Sequence, residues 1–133
     1  MLTENEVVDA VCKYLKSGGY SDICHKNTKE QGIDIEATSP DGSKLYIEAK
    51  GETSSNPNSK RSGKAFNNNQ VFDHIAKAVY TALKLRENTH EKIGIALPVE
   101  ANHKKHVNFI RQTLRDLDIN LFWVDNNSNV KPE

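Results

Sequence analysis

The chain has 133 residues, room for one domain whose core needs neither disulfides nor a structural metal. Charged residues make up 27% of it, and no apolar run approaches the roughly 18 residues of a membrane span. The formal net charge is zero, which argues against binding nucleic acid by bulk positive charge alone, although residues 60–64 ("KRSGK") and 103–106 ("HKKH") are locally basic.

In chain order, the opening "MLTENEVV" lacks the basic-then-apolar pattern of a signal peptide, so the expected location is cytoplasmic. A helix is predicted over residues 3–17. Thr3 and Glu6 match a capping box, Val7, Val8, Val11 and Leu15 form an apolar stripe, and Gly18-Gly19 ends the helix. Cys12 and Cys24 are expected as two reduced thiols, and without a Cys-x-x-Cys pair no structural zinc is expected. Residues 20–26 predict a strand. Two further strands, near 33–38 and 44–50, form a hairpin around Pro40-Asp41-Gly42. Residues 52–64 are polar and aperiodic, and they read as a flexible loop over about 52–68.

A second helix over about 69–86 turns Val71, Ile75, Val79 and Ala82 inward. "KIGIALP", ending at Pro98, is a short apolar strand. A third helix over 103–117 turns Val107, Ile110, Leu114 and Leu117 inward and leaves 103–106 as a solvated face. His103 and His106 there lack the further ligands of a zinc site. "INLFWVD", ending at Asp125, is the last strand, with the polar turn "NNSN" after it. One of its two alternating sets, Leu121 with Trp123 or Phe122 with Val124, is expected in the core. The order predicts a single α/β domain over 1–133, a mixed β-sheet flanked by helices.

The hairpin poses the functional question. Side chains alternate between the faces of a strand, so Ile33, Ile35 and Ala37 oppose Asp34 and Glu36, and Leu45, Ile47 and Ala49 oppose Tyr46, Glu48 and Lys50. With a three-residue loop at 40–42, Ser39 faces Ser43 and Asp34 falls opposite Glu48. Directly opposed Cβ atoms lie about 4.5–5.5 Å apart, where two carboxylates repel unless a cation intervenes. Two readings follow. The face is solvated, with Lys50 neutralising Glu48, or it is covered, and the carboxylates need pairing or a hard divalent ion.

Gly32-Ile33-Asp34 followed by Glu48-Ala49-Lys50, on consecutive strands after an N-terminal helix, resembles the PD-(D/E)XK nuclease superfamily. The element order from Thr3 to about Asp125 is similar to its restriction-endonuclease-like αβββαβαβ core. Ile33 stands where that family often has proline, and the literal Pro40-Asp41 is explained by the turn. The resemblance implies a Mg²⁺-dependent nuclease, foremost an endodeoxyribonuclease, with Mn²⁺ able to substitute. Asp34, Glu48 and the backbone carbonyl of Ala49 would hold the metal, and Lys50 would orient a water or offset negative charge. The alternative is a non-catalytic nucleic-acid-binding or protein-interaction module of the same fold. Neutral overall charge implies a modest DNA footprint, a homodimer or a larger complex.

Further residues carry two readings each. The resemblance would bring Glu6 towards the metal, while its spacing from Thr3 makes it a capping residue. Gln70, opening the second helix, is either a residue that touches the active site or a cap, and His74 stands where the related Gln-x-x-x-Tyr pattern has tyrosine. Glu36 would reach a second metal or stay solvated. Lys60, Arg61 and Lys64 are candidate phosphate contacts on a polar loop.

Overall fold

A computed structural model describes residues 1–26, 33–53 and 64–133 of the protein. The elements run α1 (Glu4–Ser17), β1 (Ser21–His25), β2 (Ile35–Thr38), β3 (Lys44–Ala49), α2 (Asn68–Asn88), β4 (Lys92–Pro98), α3 (Ala101–Asn108), α4 (Arg111–Asp116), β5 (Ile119–Val124) and β6 (Val130–Pro132). Among the described residues they form one six-stranded mixed sheet in the order β1-β2-β3-β4-β5-β6. The β3–β4 and β4–β5 pairs are parallel, and the three outer pairs are antiparallel. No helix of the described chain is long and apolar enough to cross a membrane.

Each face of the sheet carries its own core. On one face α1 packs Val7, Val8, Val11 and Leu15 against Ile35, Ala37, Leu45, Ile47 and Ala49. On the other, Val71, Ile75, Ala78 and Ala82 of α2, Val107 of α3 and Leu114 of α4 cover β4 and β5. Each large aliphatic side chain so buried contributes about 1.5–3 kcal/mol. The ends of α1 follow from its sequence. Thr3 and Glu6 form the reciprocal capping box, and the N–H of Gly18 closes the last turn on Tyr14 and Leu15.

The structure departs from the sequence-based expectations in several places. The third helix is two, α3 and α4, divided at Phe109-Ile110, where Ile110 has φ −129° and ψ 6°. Asn108, Phe109 and Ile110 are three consecutive weak helix formers, so the interruption costs little. It leaves Leu117 exposed rather than inward. His103 is not on a solvated face but wholly buried, its Nδ1 bonded at 2.7 Å to Glu100, which also caps α3. Both alternating sets of β5 are buried, because helices cover both faces of this strand. The "NNSN" turn leads into a further strand, β6, with Asp125 accepting from the Asn127 and Asn129 amides. In α2, Ala78 is buried in addition to the expected stripe, and Val79 packs partly buried against the same core.

The loop expected over about 52–68 is partly fixed. Glu52 and Thr53 are buried. The Phe66 amide donates to the Glu52 carbonyl at 2.8 Å, and the Thr53 hydroxyl to the Lys64 carbonyl at 2.7 Å. These bonds tie the approach to α2 onto the end of β3.

Candidate active site at the base of the hairpin

The β2–β3 register pairs Ile35 with Ile47 and Thr38 with Lys44, so continuing it sets Ser39 against Ser43 and Asp34 against Glu48. The turn that fixes this register has Gly42 at φ +87°, a left-handed position that favours glycine. Ile35, Ala37, Leu45, Ile47 and Ala49 face α1, which turns Asp34, Glu48 and Lys50 towards the α2 side.

The carboxylates meet as the register requires. Asp34 Oδ2 accepts the Ala49 amide at 2.8 Å, which orients the side chain along the end of β3. Within a strand the N–H and C=O of one residue point the same way, so the Ala49 carbonyl also faces Asp34. Burial, and then the hydrogen bond and charge of Asp34, push the Glu48 carboxyl up to about 8, against the pull of Lys50. Lys50 Nζ lies 3.6 Å from Glu48 Oε1, and only 18% and 12% of the two side chains is exposed. The Glu48 carboxyl therefore holds a proton more tightly than an ordinary carboxyl does.

A third carboxylate, on α1, lies within electrostatic range of them without completing a cluster. Glu4 is half-buried and raised from its ordinary value by burial and by the Asp34 charge, with Lys50 opposing. Gly51 makes this approach possible. A methyl there would overlap the Glu4 backbone nitrogen and come within 2.6 Å of the Thr3 carbonyl carbon. Backbone bonds lock the same junction: Glu52 N–H donates to the Leu2 carbonyl, Leu2 N–H donates to Glu52 Oε1, each at 2.8 Å, and Thr3 bridges Thr53.

The remaining sequence candidates fall as follows. Glu6 is exposed and closes the α1 capping box. Gln70 caps α2, its side-chain carbonyl accepting the Asn67 amide at 2.9 Å. Glu36 pairs with Lys44 at 3.5 Å on the solvated part of the hairpin. Lys64 is exposed; Lys60 and Arg61 lie outside the described residues.

Two residues were not given their part by the sequence reading. Glu4 is one turn ahead of Val7 and Val8 and two ahead of Val11, so the phase of the helix already placed it inward. His74 lies on the flank of the buried stripe of α2, edge-on to Phe66 at 4.5 Å, with its Nδ1 buried and without a hydrogen-bond partner. Burial first, then the Lys50 charge, lowers its affinity for a proton.

Among the described residues no three His, Cys, Asp or Glu side chains already form a metal cluster. The donor set nevertheless suits a hard cation. Two carboxylates and a main-chain carbonyl lie at the same end of the hairpin, and Asp34 beside the buried Glu48 raises its hold on a proton, the response of a site that favours added positive charge. Mg²⁺ needs only one or two carboxylates and keeps several waters. A hollow of about 960 Å³ beside Tyr14, Arg86 and Lys92 lies at the other end of the sheet. Compared with known proteins, the chain matches no family model, no curated protein and no solved structure.

Proposed function

We propose that the protein is a Mg²⁺-dependent nuclease that hydrolyses phosphodiester bonds, foremost in DNA, on a restriction-endonuclease-like αβββαβαβ core of the PD-(D/E)XK type. One observation carries the reading: Asp34 and Glu48 oppose each other under cover of α2, largely buried, with the Lys50 ammonium 3.6 Å from Glu48. Such a buried pair is costly as a structural device, since two like charges at this spacing destabilise the hairpin. Asp34, Glu48 and the Ala49 carbonyl would hold the cation, which when bound polarises a phosphate and acidifies a water. Lys50 balances negative charge as it develops on the phosphate. Glu4 adds a carboxylate on the α1 side, where it can orient a water molecule. The mixed sheet, with α1 on one face and α2 to α4 on the other, supports the core assignment.

The test is cleavage of single-stranded, duplex and branched DNA with Mg²⁺ or Mn²⁺, beside Asp34→Asn and Lys50→Ala. Each substitution is expected to lower the rate by roughly 10²–10³-fold, the scale for losing one charge-stabilising group. Cleavage by both variants at the wild-type rate would remove the catalytic assignment and leave a non-catalytic module.

A further inference from the structure

The helical face that carries α3 is electrically unlike the chain as a whole. The chain is neutral, yet residues 101–115 contain Lys104, Lys105, Arg111 and Arg115 and neither Asp nor Glu. On this positive surface α2 and α3 present three rings in a row. Phe72 is 55% exposed and Phe109 77%. His106 stands between them, edge-on to Phe72 with centroids 5.7 Å apart and 6.5 Å from Phe109. Asn68, the first residue of α2, fixes the row through His106 Nε2 at 3.0 Å and Lys105 Nζ at 3.3 Å.

Neither phenylalanine belongs to either core. Scattered exposed rings are ordinary, but three neighbouring rings beside Lys105, which meets no acid among the described residues, are not a feature that packing requires. Lys104 is spent on Trp123, 3.7 Å above its ring, and Arg111 on Glu133 at 3.1 Å. Lys105 meets only the neutral Asn68 amide among the described residues. Aromatic faces next to a cation suit unpaired bases and their phosphates, since every base has a face to stack. A second copy of the chain fits less well. A two-fold contact sets a patch against itself, which would bring Lys105 and its neighbours onto their own like charges.

The row also lies within reach of the hairpin base. At 100° per residue, Phe72 and His74 project from opposite flanks of α2, His74 towards Lys50 and Phe72 towards α3. One helix width, about 10–12 Å, separates the two flanks, a few nucleotides of single strand.

We infer that Phe72, His106 and Phe109 form a stacking platform for an unpaired nucleic-acid segment, with Lys105 taking a phosphate. This rests on the nuclease reading for its purpose and makes substrates with single-stranded parts the preferred class. The binding test uses the full chain in metal-free buffer and reads fluorescence anisotropy with labelled oligothymidylate, oligouridylate and a blunt DNA duplex. Single strands should bind more tightly than duplex, and the two oligomers show whether DNA or RNA is favoured. Phe72→Ala and Phe109→Ala should each weaken single-strand binding by about tenfold and leave duplex binding unchanged, while Phe109→Trp retains it. Equal binding of duplex and single strand by the wild type, or unchanged single-strand binding by both alanine variants, overturns the platform. So does a dimer in sedimentation that the double alanine variant converts to monomer. Cleavage separates the two proposals. Ring-dependent binding by a wild type that cuts nothing sinks the nuclease and keeps the platform. Lys50-dependent cleavage with ring variants that bind like wild type does the reverse.

Discussion

The tip and the base of one hairpin hold their carboxylates in opposite ways. At the tip, Asp41 accepts from Ser39 and from the hydroxyl and amide of Ser43, with Lys92 Nζ 3.2 Å away. It lies open to water, and these donors hold it well below the usual carboxylate range, the Ser39 hydroxyl most of all. At the base, burial and Asp34 raise Glu48 to about 8. The tip is a carboxylate placed to make a turn. The base is a carboxylate placed against the interest of the turn's own strands. Where a fold surrounds one acid with donors and deprives another of them a few residues away, the second is the candidate for chemistry.

Stability against pH should separate the two ends most sharply. Glu48 has a folded value above its ordinary 4.5. The native state therefore keeps a proton that the unfolded chain releases between pH 4.5 and about 8, and stability falls across that window as pH rises. The slope approaches ~1.4 kcal/mol per pH unit. Urea denaturation at intervals from pH 5 to 8.5, in EDTA, should show this decline, and Glu48→Gln should flatten it. A wild-type profile that is already flat would deny that Glu48 holds a proton in the fold.

Gly51→Ala comes next. The added methyl meets backbone atoms of Thr3 and Glu4, which must move, at a cost of about 1–3 kcal/mol. The variant should melt lower and also lose cleavage, because Glu4 retreats from Asp34. A lower melting point with unchanged activity would show that Glu4 is no part of the site. The smallest effect belongs to the tip. Asp41→Asn should change the melting temperature little at neutral pH and leave cleavage intact. Its loss relative to wild type should be full above about pH 4 and shrink only as the pH falls further, because the serines keep Asp41 ionised in the fold well below its ordinary 3.8. A large activity defect in Asp41→Asn would erase the distinction between the two ends.

What the sequence revealed, and what it hid, follows the range of the forces involved. The opposition of Asp34 and Glu48 was legible because a short turn with a glycine at its left-handed position fixes register locally. The α1 cap was legible for the same reason. Glu4 was overlooked in favour of Glu6, although the Val7, Val8 and Val11 stripe already carried its phase. Reading the cap alone ignored which face the helix buries. His103 could not be placed by local polarity, because its burial depends on α3 packing and on Glu100 three residues before it. The unbroken run Leu121-Phe122-Trp123-Val124 has the pattern of a strand covered on both faces, as in parallel sheets, although only one alternating set was expected in the core. The gap between α3 and α4 rests on a balance of weak propensities, which sequence resolves poorly.

The clasp between Leu2 and Glu52 has a consequence for how the molecule comes together. A helix and three strands lie within the ring of chain that this double bond closes. The two bonds join segments 50 residues apart, so the amide protons of Leu2 and Glu52 report directly on the meeting of α1 with the end of β3. In hydrogen exchange they should become protected together, late in refolding.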